Sequence, residues 1–314
     1  MRKRFGKYMA SGMTICATTG MLLALVVTSW AANTSYVDKF QDVTVPGATY
    51  TEVTGVSYRL SGSLGNVVGF YIDSVGINHG FVKAGSKIKT IDVPKAIGTR
   101  IYGEDQSGEL VVGSYRDSNA VEHGFLLAFG KLTTFDVPGA MSTRAYSVNL
   151  QNTIAGRYTD KNGMTHGFLQ KQGKGQFITL DVKHATFTEI RSVANYPPPM
   201  GDMAANFVDA SGKEHGEIGQ DAIFREQIDF PGAEVTTVNS VAVDGGFFDG
   251  YYSATATGPF HGYVWVGKYL NVDFPGSIDT RCNRLDDILH VGGRYTDANG
   301  VVHGFTAHVE YRGD

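Results

Sequence analysis

Cysteine is almost missing from this chain. Cys16 and Cys282 are the only two in 314 residues, too few for a disulfide framework or a Cys-based zinc site. Charge is sparse as well. Charged side chains make up 18% and the formal net charge is −4, which offers no basic surface to nucleic acid. A hydrophobic content of 42% excludes a disordered chain. Beyond residue 40 no stretch carries apolar side chains at a helical period, so helix is expected to be nearly absent. The zinc-protease HExxH, the nucleophile elbow, the phosphate loop and the dinucleotide fingerprint are also lacking, and no cofactor is expected. What is abundant is glycine, at 40 residues, with 16 Tyr and 18 Phe. Glycine at nearly twice the usual ~7%, without a collagen period, suits many short strands joined by tight turns.

Residues 1–31 run from the basic MRKRFGK through an apolar stretch to LLALVVTSWAA. That order is the order of a secretory signal peptide. Ser29 and Ala31 supply the small side chains a signal peptidase reads, so cleavage is expected after Ala31. The alternative is a retained anchor, since the run is long enough to span a bilayer, although Ser11, Thr14, Thr18 and Thr19 dilute it. Cleavage removes Arg2, Lys3, Arg4 and Lys7 and no acid, taking the formal charge from −4 to −8. The mature protein is then expected outside the cytoplasm, extracellular or periplasmic, unattached to membrane and monomeric. Cys282 is left as a lone thiol, and packing through a large continuous core has to hold the fold.

The remainder is periodic. His-Gly-aromatic recurs at His79, His123, His166, His261 and His303, with a degenerate copy at His215, at spacings of 44, 43, 49, 46 and 42 residues. A second marker runs half a unit out of phase: VTVPGA, IDVPKA, FDVPGA, LDVKHA, DFPGAE and DFPGSI. Each unit reads as four short strands with turns at Asp-x-Asn-Gly and Pro-Gly. A period near 45 with four strands fits a propeller blade and is too long for a leucine-rich or hexapeptide coil. The region opens with a spare fourth strand, FQDVTVPG, and ends on a third strand at 302–310. Pairing those two closes a ring and covers an exposed edge. The sequence therefore predicts an all-β, six-bladed β-propeller closed by its N-terminal strand on the last blade. The divisions are a signal peptide at 1–31, a linker at 32–39, the propeller at 40–311 and a tail at 312–314.

Asp-x-x-Gly-x-x-His-Gly-aromatic recurs in nearly every unit, as Asp73/His79, Asp117/His123, Asp160/His166, Asp209/His215 and Asp297/His303; the fifth unit has Ser253 where the Asp should be. Identical chemistry in each blade reads as scaffold: the Asp caps a hairpin turn and the His bonds backbone or that Asp. The unit GxYxDxxGxxHGFL followed by FDVPGAxxT resembles the probable extracellular repeats of the HAF family, found in secreted bacterial proteins. The resemblance spans about residues 40–311 and implies export and a repetitive β fold, with no activity attached.

Function is then expected where the copies differ. If the N-terminal strand is outermost, the strand after each threonine is innermost and lines the channel. The residue following the threonine is Glu52, Arg100, Arg144, Glu189, Thr237 or Arg281. Two positions on, along the same strand face, stand Thr54, Tyr102, Tyr146, Arg191, Asn239 and Asn283. From these, Arg100, Arg144, Arg191, Arg281, Tyr102, Glu52 and Glu189 are read as ligand-binding, for a glycan or an anionic small molecule: arginine forks to oxyanions and tyrosine stacks on a sugar. The competing reading has Arg and Glu neighbours pairing with one another around the ring. In the fourth unit Pro-Gly becomes Lys183–His184. A histidine there, beside Tyr146 and arginines, suits general-base chemistry next to a carboxylate. Asp286, Asp287 and His290 lie on the opposite loop without a His-x-His pair, so no metal site is assigned. Three functions stay open: a secreted module binding a glycan or envelope component, a lyase or hydrolase on an acidic polysaccharide using His184 and Tyr146, and a purely structural surface module whose mouth is filled by paired side chains.

Overall fold

Six four-stranded antiparallel sheets follow one another along the chain in a computed structural model that describes residues 34–313, apart from 59, 60, 62, 172–175, 196–200 and 243–245. The segment read as a signal peptide lies outside the described residues. In the first blade the strands are Tyr50–Tyr58, Leu64–Ile72, Asn78–Ala84 and Lys87–Ile91, each paired with the next. The sixth blade is built from Asp279–Leu285, His290–Thr296 and Val302–Glu310, and its outermost strand is Tyr36–Val43, paired antiparallel with Val302–Glu310 from Tyr36 opposite Glu310 to Val43 opposite Gly304. The first of the described strands thus sits on the last blade. It begins at Tyr36, inside the stretch 32–39 taken from sequence as linker, because Val37 and Asp38 already find ladder partners in Val309 and His308. No α-helix occurs among the described residues, and no helix there is long and apolar enough to cross a membrane.

The innermost strands are the threonine strands: Tyr50–Tyr58, Gly98–Glu104, Ser142–Val148, Phe187–Val193, the interrupted pair Val235–Thr236 and Ser240–Val241, and Asp279–Leu285. Each touches the next, and the sixth touches the first. The threonine itself has one job throughout. Its hydroxyl accepts the backbone N–H of the residue six positions earlier in the Asp-x-Pro turn, as Val93 to Thr99 at 3.0 Å, Val137 to Thr143 at 3.0 Å and Phe274 to Thr280 at 3.1 Å. That bond pins each blade-to-blade crossing to the start of the next inner strand.

Among the described residues there is no single continuous core. The buried apolar residues form six clusters, one at each junction between blades. Ile154 and Phe168 of the third blade pack on Leu110, Val112 and Leu126 of the second, for example. A blade is a sheet with two apolar faces, so burial divides itself among the junctions. The one cysteine among the described residues, Cys282, is a buried member of such a cluster.

The repeated Asp and His are scaffold. Asp73 Oδ1 accepts the backbone N–H groups of Val75 at 3.0 Å and Ile77 at 2.8 Å, and Asp117, Asp160, Asp209 and Asp297 do the same in their hairpins. In the fifth blade Ser253 Oγ takes over by accepting the Thr255 N–H. Each histidine stacks on the aromatic of the neighbouring strand and bridges to a second acid at the end of the outer strand. His79 Nδ1 lies 2.9 Å from Asp92 Oδ2, and its other nitrogen faces Asp73; His123 repeats this with Asp136 and Asp117.

The bridges make stability depend on pH. Partial burial works against the charged form of His79 and His123, but the flanking carboxylates outweigh it and raise both above the ordinary 6.5. Backbone N–H donors, foremost Ile77 and Val121, hold Asp73 and Asp117 below their ordinary 3.8. The histidine contribution is complete below pH 6.5 and is lost as pH rises through the raised folded value. The aspartate contribution is present above 3.8 and is lost as pH falls through the depressed one. Thermal melts are expected to peak between about pH 4 and 6.5; a maximum at pH 8 would contradict this account, and His79→Gln with His123→Gln should flatten the alkaline decline.

Candidate functional site

Where the chain enters its innermost strands the channel widens into a cavity of about 330 Å³. Side chains two apart on a strand share a face, and the inner strands turn that face toward the axis. Glu52, Arg100, Arg144, Glu189 and Arg281 line the cavity, and so do Thr54, Tyr102, Tyr146, Arg191, Asn239 and Asn283. Every residue read from sequence as ligand-binding is among them. Thr237 is not; its hydroxyl is engaged with the Tyr251 backbone. His184 does not line the cavity either. It stands exposed in the crossing turn before the fourth blade with φ of 66°, where its counterparts are glycine or Lys95. Its place is explained by the turn's left-handed backbone position, and the expectation that it joins Tyr146 is overturned.

Sequence reading missed Tyr50, Phe70, Ile72, Tyr251 and Arg294 in the lining. Three of these are the middle residue of Gly-x-aromatic on the second strand. Phe70 stands opposite Glu52 and Arg294 opposite Arg281 in the ladder, and directly paired residues share a face. The signal was therefore present, one strand away from the strand considered.

Glu189 is the most heavily used acid. Its Oε2 accepts the Tyr146 hydroxyl at 2.8 Å and lies 3.3 Å from Arg157 Nη1, while Oε1 lies 3.7 Å from Arg191 Nη1. Burial alone would raise Glu189, but Arg191 and Arg157 hold it below the usual carboxylate range. Glu52 accepts from Tyr50 and from Asn283 Nδ2 and faces Arg294. Arg144 is clamped by both oxygens of Glu122, each 2.9 Å from a guanidinium nitrogen, and Arg281 is held by Asp279 at 3.2 Å and stacks 3.9 Å from the Phe260 ring centre. Arg191 lies 4.2 Å over Tyr146. Burial first, then the Glu189 charge, raises the Tyr146 hydroxyl, which stays protonated as a donor.

The competing reading of a mouth closed by paired side chains holds for the acids and for four of the five lining arginines, and fails at Arg100. Both lining carboxylates are occupied, and Glu122 and Asp279 from outside the lining hold two more of its five arginines. Among the described residues Arg100 holds no carboxylate; its Nε donates to the Asn78 amide oxygen at 2.9 Å, and its guanidinium lies 4.8 Å over Phe70. The Tyr102 hydroxyl and Arg191 Nε are buried without a hydrogen-bond partner. The result is a cup walled by guanidinium groups and aromatic rings, with one unpaired arginine and further donors left over. On the opposite side of the ring, Asp286 accepts the backbone N–H groups of Ile288 and His290 and faces the His290 ring at 2.8 Å, a hairpin cap like the others.

No protein-family model matches the sequence, and no curated protein matches it. Solved structures do. The six-bladed propeller lectin of Aleuria aurantia superposes with a TM-score of 0.53 at 8% identity, over 85% of this chain and 93% of that one. TolB from Acinetobacter baumannii gives 0.51 at 11% identity, over 79% of this chain and 65% of that one. At such identities the likeness is one of fold, and the fold is the six-bladed β-propeller.

Proposed function

We propose that this protein is a secreted binding module that takes a glycan, or another anionic ligand rich in hydroxyl groups, into the central cup. The carrying observation is Arg100, which holds no carboxylate among the described residues while the four other arginines of the same open cavity each face one. Guanidinium groups offer paired donors to an oxyanion, and Tyr102, Tyr146 and Phe70 offer faces to a sugar ring. The volume of about 330 Å³ suits one or two sugar units. The Aleuria aurantia structure, described as showing a novel fucose recognition mode, is a precedent for a sugar ligand on this architecture. Secretion rests on the order of charge and apolarity in residues 1–31.

The lyase or hydrolase alternative needs a base at the cavity. His184 lies outside it, and Tyr146 is held protonated by burial and by Glu189, so binding without turnover is the better reading. Residues 32–314 should show a raised melting temperature with oligogalacturonates, weakened by salt as ion pairing requires. Arg191→Gln should lower affinity by about tenfold, equivalent to ~1.4 kcal/mol, with no unsaturated product formed. Absence of any shift with acidic or neutral oligosaccharides overturns the proposal.

A further inference from the structure

A second depression of about 150 Å³ opens at the junction of the first and second blades, lined by Asn78, Ile97, Gly98, Arg116 and others, and Arg100 belongs to both its wall and that of the central cup. We infer that the ligand is an acidic oligosaccharide of at least two units, one seated in the cup and the next in this groove, with a sugar carboxylate on Arg100 between them. The inference rests on the binding reading above and adds the ligand's length, its path and the residue that fixes its direction.

The first blade junction differs from the others in how its arginine is held. At three junctions the residue before His-Gly contacts the residue after the next blade's threonine. At the second junction that pair is Glu122 with Arg144, two charges satisfying each other through a two-pronged contact. At the fifth it is Phe260 with Arg281, a ring under a guanidinium that also holds Asp279. At the first junction the partner is Asn78, whose amide oxygen accepts one hydrogen bond from Arg100 and neutralises no charge. Arg100 therefore keeps its positive charge and its terminal nitrogens for something else. The second-strand residue here is Ser114, where the next blade has Arg157. A serine in place of an arginine leaves the groove open.

Its other groups agree with an anionic sugar. Glu122 is the one carboxylate in the groove, and its charge is taken by Arg144 while Ser114 donates to it at 2.6 Å. Arg116 is exposed and has no carboxylate among the described residues. Ile97, 48% exposed, gives an apolar edge for a sugar face. A ligand bridging both depressions gains by linkage, since the second unit binds at the high local concentration set by the first.

The test compares galacturonate, digalacturonate and the neutral disaccharide galactobiose by calorimetry on residues 32–314. Digalacturonate is expected to bind at least tenfold tighter than galacturonate, and galactobiose to lose most of that gain. Arg100→Gln should bring digalacturonate down to the monomer's affinity. Gly98→Leu should do so as well by filling the groove: a Cβ there meets nothing closer than Asn78 Cβ at 3.6 Å. Should that variant fail to fold, Arg116→Gln at the exposed rim is expected to give a smaller loss in the same direction. Equal affinity for the two acids, with Arg100→Gln weakening both alike, overturns the two-unit path and leaves the cup as a one-unit site. If none of the three binds, the binding reading itself falls.

Discussion

Gly156→Ala is expected to destabilise the protein by about 3 kcal/mol or more, a severe effect for one methyl group. The glycine is the first residue of Gly-Arg-Tyr on the second strand of the third blade. A Cβ there would lie 2.1 Å from the Arg144 carbonyl oxygen and 2.8 Å from the Phe168 ring. The carbonyl belongs to an inner strand paired along its length with the second strand, and Phe168 is fully buried, so neither can withdraw. The same approach occurs at Gly69, Gly113, Gly250 and Gly293, each within 2.1 Å of a carbonyl oxygen of the inner strand. Blade four is the natural control. Ala205 takes the place of the glycine opposite Ile190, and Glu217 replaces the aromatic that would press on it. The two changes go together, as they should if ring and glycine are one packing unit. At roughly 2–4 °C per kcal/mol for a domain of this size, the melting temperature should fall by about 6–12 °C. Gly163→Ala is the comparison: its φ is 84° with nothing within 4 Å, so only the left-handed backbone cost of about 1–2 kcal/mol applies. If Gly156→Ala costs no more than Gly163→Ala, the packing account is wrong.

The contrast between those glycines shows what a single sequence makes legible. The blade count, the order of strands and the identity of the innermost strand follow from period and phase, because a repeat of four short strands has few ways to bury its faces. Those in turn placed Arg100, Arg144, Arg191, Arg281 and both tyrosines on one cavity, since alternation along a strand is strict. Legibility stopped wherever a contact crosses from one strand to another. Phe70, Tyr251 and Arg294 enter the cup through ladder register. Asn78 decides the state of Arg100 from 22 residues away. The aspartate of each Asp-x-Pro turn, Asp92 or Asp136, reaches the repeated histidine only because the outer strand runs beside it. His184 misled because a change of residue type inside a tight turn marks backbone tolerance as readily as chemistry. Its φ belongs to the turn, whatever side chain occupies it.

Arg284→Met should be the second costly change, and its cost should grow with pH. At this inner-strand position the other blades carry Gly55, Gly103, Ser147, Ser192 and Ser240, all small, and the channel they line is crossed by the Arg284 side chain. Its Nη1 donates to Ser192 Oγ at 3.1 Å and Ser147 Oγ at 3.3 Å, tying the sixth blade to the third and fourth. Two buried acids feel its charge. Burial pushes Glu104 up to about 8 and Asp249 up to about 7, and Arg284 opposes both shifts. An acid raised above its unfolded value supports the fold below that value and withdraws support as pH rises through the folded one. Without the guanidinium both rise further, so the variant's deficit should be modest at pH 5, where both acids are protonated in either protein, and reach about 3 kcal/mol near pH 9. The low end of the usual range for an orphaned buried charge applies, since Arg284 keeps some contact with solvent. Adding Glu104→Gln should recover much of the alkaline loss. A deficit independent of pH, unaffected by the second change, would mean that Arg284 matters only for its bonds to the two serines and the space it fills.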